Sequence, residues 1–145
     1  MELGGGLPFH LFLEQLEYRV SSGWHWGIDM IKRFPGNRTG RCGAVVYNGL
    51  VYAVATDTSS SNGIKMQTRK ALAELDSQLA EAGSGKSGLL QATVYLRNMD
   101  DKAAMDAVWC DWIGSQENWP QRACVGTDLA GNDLIEIVVT AAVLD

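Results

Sequence analysis

The chain has 145 residues, 46% of them hydrophobic and 20% charged, which suits one domain with a buried core and excludes a disordered chain. A net charge of −5 argues against a general nucleic-acid binder, which needs a basic surface to neutralise phosphates. No apolar run reaches the roughly 20 residues that span a bilayer, and no leader with a basic start and a long apolar stretch is seen, so a cytoplasmic protein without a membrane partner is expected.

The three cysteines, Cys42, Cys110 and Cys124, form no C-x-x-C pair, and the histidines are His10 and His25 alone. Neither a disulfide framework nor a metal site is expected from so few ligands.

Residues 1–30 read as an N-terminal extension and residues 31–145 as a single domain. After Pro8, the positions Phe9, Phe12, Leu13, Leu16 and Val20 recur at helical spacing, and Ser22-Gly23 would end that short amphipathic helix. The aromatic triplet Trp24-His25-Trp26 follows. The segment reads either as a short amphipathic helix that packs on the core or on a neighbouring subunit, or as a flap whose aromatics wall a pocket. A first strand is accommodated around 28–34. Ala44–Tyr47, Asn48-Gly49 and Leu50–Ala55 predict a β-hairpin, because Asn-Gly tolerates the positive φ of a tight turn. Thr56–Asn62 is a polar loop. Ile64, Ala71, Leu72, Leu75, Leu79 and Ala82 then mark one face of a helix, with Ser61 or Asn62 as the expected cap and Gly83 as the stop. A strand is predicted over 89–96. A second helix, capped by Asp100 or Asp101, carries Met105, Val108, Trp109, Trp112 and Ile113 on its apolar face. Beyond Pro120, strands are predicted over 122–129 and 134–144, with a turn at Gly131-Asn132. The order ββ-α-β-α-ββ gives an α+β fold with a mixed sheet and helices on one face.

Residues 80–87, Ala-Glu-Ala-Gly-Ser-Gly-Lys-Ser, come close to a phosphate-binding G-x-x-x-x-G-K-S loop. That loop works where a strand leads into a helix whose N-terminus faces the anion. Here a helix precedes and a strand follows, so the loop sits at the negative end of a helix dipole. A helix stop followed by an exposed turn is the better account.

Two charges interrupt apolar strands: Arg122, in Pro120-Gln121-Arg122-Ala123-Cys124-Val125, and Glu136, in Leu134-Ile135-Glu136-Ile137-Val138. A charge there is costly unless paired or used. One account is a cross-strand ion pair between them. The other is an arginine that grips a substrate carboxylate through its planar fork, beside a glutamate that orients water or moves a proton. Cys124 has no evident histidine partner and reads as a wall residue rather than a nucleophile.

In these stretches the chain resembles the Rid (YjgF/YER057c/UK114) family of reactive enamine/imine deaminases, over about 41–143. The residues that carry the likeness are Gln67, Ala71–Asp76, Leu79–Ser84, Thr93–Leu96, Met105–Trp109, Pro120–Val125 and Ile135–Ile137. Trp109, Trp112 and the Val-Thr-Ala-Ala-Val ending are most similar to the YoaB-like branch. The resemblance implies a chorismate-mutase-like (YjgF-type) α+β fold, with a six-stranded mixed sheet and two helices on one face. It implies a homotrimer with clefts between subunits, a small carboxylate-bearing ligand, and no metal or cofactor. The implied reaction hydrolyses 2-aminoacrylate-type enamines or their imine tautomers to a 2-keto acid and ammonia. In that reaction Arg122 anchors the substrate carboxylate, Glu136 positions water, and Cys124 lines the cleft.

Three departures bear on the substrate. Arg41 stands near the family's early tyrosine, Val54-Ala55 replaces its Ser-Gly pair, and Asp106 replaces its asparagine in the second helix. Arg41 and Asp106 therefore join Arg122 and Cys124 as expected substrate-binding residues. Two alternatives stay open: a non-catalytic Rid protein that binds a small carboxylate, and a deaminase of a larger substrate such as an aminomuconate.

Overall fold

Asn48 and Gly49 adopt φ values of 52° and 74°, the pair of positive angles that lets a two-residue turn follow the twist of its strands. They join β2 (Cys42–Tyr47) to β3 (Leu50–Ala55), with Tyr47 opposite Leu50 and Ala44 opposite Ala53. The computed structural model describes residues 30–59 and 61–145. The expected N-terminal helix and the Trp24-His25-Trp26 segment lie outside the described residues. The first strand, β1 (Lys32–Pro35), pairs with β2 through a bulge at Phe34/Pro35.

Helix α1 (Ile64–Glu81) buries the face read from its periodicity: Ala71, Leu72, Leu75 and Leu79 are at most 1% exposed. Its start differs from the expectation. Neither Ser61 nor Asn62 caps it; Gly63 holds the N-cap position at φ 79° without a side-chain cap. The neighbouring loop is organised instead by Asp57 and Gln67, described below. Its end follows the expectation in detail. Gly83 sits at φ 82°, its N–H donates to Ala80, and the Ser84 N–H donates to Leu79 at 2.7 Å. This is the paired bonding of a Schellman stop, and it satisfies carbonyls that the helix leaves open.

Strand β4 (Leu89–Leu96) follows a short 3-10 turn at Lys86–Gly88. The near-match to a phosphate loop therefore lies between a helix end and a strand start, as its reversed order predicts. Helix α2 (Lys102–Ile113) begins at Asp101, whose side chain makes no capping bond. The Asn98 side chain does the local capping, accepting from the Asp100 N–H at 2.9 Å. The last strands, β5 (Gln121–Gly126) and β6 (Ile135–Ala142), are shorter than their apolar runs suggest.

The sheet order is β1-β2-β3-β6-β4-β5. All pairings are antiparallel except β4 with β5. Both helices cover one face, and the core there includes Val51, Ala53, Ala92, Val94, Ile135, Ile137 and Val139. The opposite face leaves Tyr47, Tyr52, Val125 and Val138 between 39% and 48% exposed. No described helix is long and apolar enough to cross a membrane. Replacing the fully buried Leu75 by Ala should cost about 2–5 kcal/mol through lost burial and a residual cavity, read as a lower midpoint in urea denaturation.

Candidate active site

Side chains alternate across a sheet, and paired residues on neighbouring strands share a face. Arg122 and Cys124 lie beside Ala92 and Val94 of β4, so they face the helices. Glu136 lies beside Tyr95, so it faces the open side. β4 stands between β5 and β6, and Arg122 is three positions further back along it than Glu136. Strand spacing and rise put the two backbones roughly 14 Å apart. The cross-strand Arg122–Glu136 ion pair is therefore not formed: the two charges belong to two half-sites on opposite faces of one protomer.

The first half-site sits between β5 and α2. Arg122 Nη2 donates to Asp106 Oδ1 at 2.5 Å, and Lys102 Nζ donates to Asp106 Oδ2 at 2.7 Å. The Arg122 guanidinium lies over the Trp109 ring, 5.0 Å from its centroid, a placement that a cation on an aromatic face favours. Nη1 reaches only the Met105 sulfur at 3.9 Å. Arg122 and Asp106 keep 20% and 30% of their side-chain surface exposed, so a ligand can reach them. Burial works to raise the Asp106 pKa, but Lys102 and Arg122 outweigh it and hold the carboxyl below its ordinary value. Cys124 is opposite. Burial pushes its thiol up, against the pull of Arg122 and Lys102, so the thiolate needed by a nucleophile is disfavoured.

The second half-site is a cleft of about 280 Å³ at the end of β2, β3 and β6. Arg41, Val54, Ala55 and Glu136 line it together with Arg38 and Asp133. The structure thus gathers Arg41 with Glu136, and Asp106 and Cys124 with Arg122, as two separate groups.

Several residues in and beside these half-sites have roles that the sequence did not disclose. Trp109 was legible as core, but not as the platform under Arg122. Lys102 could have been found from its i,i+4 spacing to Asp106. Gln67 is 2% exposed and ties two loops beside the cleft. Its Nε2 donates to the carbonyls of Ser61 (2.9 Å) and Asn132 (3.1 Å), while its Oε1 accepts from the Leu134 N–H at 2.8 Å. Arg97 holds the same 127–134 loop by donating to the carbonyls of Leu129 and Gly131, each at 2.7 Å. Asp57, also 2% exposed, accepts from the Ser59 N–H and hydroxyl and from the Ser61 N–H at 2.7–2.8 Å. Burial raises its pKa, but these donors win and bring it from 3.8 to about 2. Among the described residues, no group of three or more His, Cys, Asp or Glu side chains is placed to hold a metal ion.

Residues 41–143 match the sequence pattern of the family described as Endoribonuclease L-PSP. The chain belongs to the Rid/YjgF family. A RutC family protein from Haemophilus ducreyi is 41% identical over 100 residues, covering 68% of this chain and 85% of that protein. The RutC family protein YoaB of Escherichia coli K12 is 32% identical over 100 residues, covering 68% and 87%, and the likeness extends to that YoaB-like branch. The crystal structure of NMB1025, a YjgF family member from Neisseria meningitidis, superposes with a TM-score of 0.70 at 35% identity, covering 81% of this chain and 98% of that one. The match bears out the six-stranded YjgF-type α+β fold expected of a Rid protein.

Two measurements report on the loop ties made by Gln67 and Asp57 in this Rid protein. Gln67→Leu should cost about 2–3 kcal/mol by leaving the Leu134 N–H and two loop carbonyls unpaired, with faster hydrogen exchange across 127–134. Asp57 contributes stability that is complete well above pH 3.8 and is lost as pH falls from 3.8 toward 2. Asp57→Asn should flatten the acid limb of a stability-versus-pH profile in that window.

Proposed function

We propose that this Rid protein hydrolyses reactive 2-imino acids, and the enamines that tautomerise to them, to 2-keto acids and ammonia. The observation that carries the reading is Arg122: a half-buried guanidinium on an aromatic platform, open to solvent and within reach of a ligand carboxylate. The balanced step is R–C(=NH2+)–COO− plus water giving R–C(=O)–COO− plus NH4+. Water adds to the imine carbon, and the resulting carbinolamine expels ammonia as its C–N bond breaks. In this reading Arg122 fixes the carboxylate and so orients the electrophilic carbon, while Glu136 holds the attacking water. Positioning of this kind accounts for several kcal/mol of barrier without covalent catalysis. The raised Cys124 thiol suits a wall residue better than a nucleophile.

The separation of the half-sites supports an assembly. One protomer offers Arg122 on the helix side and Glu136 on the open side, so a working cleft needs Arg122 of one copy beside Glu136 of another. The exposed Tyr47, Tyr52, Val125 and Val138 on the open face are the surface such copies would cover. A homotrimer is the assembly we assign to it. Endoribonuclease action, named in the family description, is less well supported, because a net charge of −5 opposes a polyanion.

A second reading, in which the substrate is larger and carries another anionic group, is favoured by Arg38 and Arg41 in the Glu136 cleft. Among the described residues neither forms an ion pair. The deciding assay generates iminopropionate in situ and follows pyruvate release. Wild type should exceed the uncatalysed rate, and Arg122→Ala should lose roughly 100-fold or more while keeping the oligomer. Equal rates for the two proteins would overturn Arg122 as the anchor. A preference for imino dicarboxylates that Arg41→Ala removes would favour the second reading.

A further inference from the structure

Resting on the reading in which Arg122 holds the substrate carboxylate, we infer that Asp106 selects the protonated imine over the keto-acid product, accepting the N–H of the first and rejecting the carbonyl oxygen of the second. Arg122 is not a free cation awaiting an anion. Its Nη2 already faces Asp106 Oδ1 at 2.5 Å, and Lys102 holds the other carboxylate oxygen at 2.7 Å. A simple carboxylate ligand must share Nη2 with Asp106 and bring a second negative charge beside it. A ligand that also carries positive charge next to its carboxylate avoids that penalty.

In a 2-imino acid the nitrogen is bonded to the carbon that bears the carboxylate. With the carboxylate on Arg122, that nitrogen falls within reach of the neighbouring Asp106. A carboxylate offers about four lone-pair sites, and Arg122 and Lys102 occupy two. The remaining sites can accept the N–H of a protonated imine in a charge-assisted hydrogen bond. A keto acid presents a carbonyl oxygen at the same place. That atom can only accept, so it faces another acceptor and both lose hydration without a partner. A neutral amide at position 106 could turn its NH2 or its oxygen to suit either ligand, so it would not discriminate. Asp106 thereby favours entry of substrate and departure of product, in a site whose product is also a carboxylate.

The test is binding to the full-length protein, followed by NMR titration at pH 7 with L-alanine, pyruvate and propionate. Alanine supplies N–H donors beside a carboxylate, pyruvate a carbonyl, and propionate neither. Wild type should bind alanine roughly tenfold more tightly than pyruvate, with propionate between them, as a charge-assisted bond requires. Asp106→Asn should bring the alanine-to-pyruvate ratio close to one, mainly by tightening pyruvate, and Arg122→Ala should weaken all three. Pyruvate binding as tightly as alanine in wild type would overturn the inference whatever the variants do. An unchanged ratio in Asp106→Asn, with all three ligands still lost in Arg122→Ala, would overturn the role of Asp106 and leave the anchor standing. Failure of all three ligands to bind wild type would remove the anchor and the inference together.

Discussion

The parallel pairing of β5 against β4 is the constraint on which the site depends. Parallel neighbours share their in-out parity, so Ala92 and Val94, which are buried under the helices, dictate that Arg122 and Cys124 face the same way. Antiparallel pairing of β4 with β6 fixes Glu136 on the other side through Tyr95. A shift of one residue in either register would send these side chains to the wrong face. Such a shift would also expose the apolar set that α1 and α2 cover. The core therefore fixes Arg122 and Glu136 on their opposite faces without any contact between them.

Within the arginine half-site, three effects act together. The Trp109 face supports the guanidinium, Asp106 neutralises much of its charge, and Lys102 neutralises Asp106 in turn. An unpaired cation half-buried at this point would be costly. Lys102 and Asp106 are i,i+4 neighbours on α2, so one helical turn supplies both Arg122's counter-ion and that counter-ion's own partner. The aromatic contact continues outward. Trp112 lies 5.3 Å from Trp109, its indole N–H donates to Asp76 at 2.9 Å, and Lys86 lies over its ring. α2 is thereby tied to α1 on one side and to the arginine on the other.

What the sequence disclosed follows from locality. The Asn48-Gly49 hairpin, the buried face of α1 and the Gly83 stop each depend on residues a few positions apart, and each was legible. Arg122 and Glu136 stood out because a charge in an apolar strand asks for a reason, and Cys124 entered through the family resemblance. Their mutual placement was not legible, because it depends on β6 inserting between β3 and β4, a pairing of residues far apart in the chain. The ion-pair account of Arg122 and Glu136, one of the two left open, failed for that reason. The helix caps failed for a related one. Gln67 and Asp57 tie down the loop where a cap from Ser61 or Asn62 was expected, and Asn98, rather than Asp100 or Asp101, serves the turn before α2.

The edge position of β5 has a consequence for the order in which the domain forms. The β2-β3 hairpin closes over two residues, whereas β5 can join β4 only after the chain has passed through α2 and returned. Closing that longer loop costs entropy before any parallel hydrogen bond offsets it. β5 also has a single strand neighbour, so fewer bonds hold it once it is there. Arg122 thus sits on an edge strand whose pairing closes a longer loop, while Glu136 sits on a strand paired on both sides. Arg122 and Glu136 therefore sit on strands with unequal support, and local opening of the β5 edge would displace Arg122 while leaving Glu136 in place.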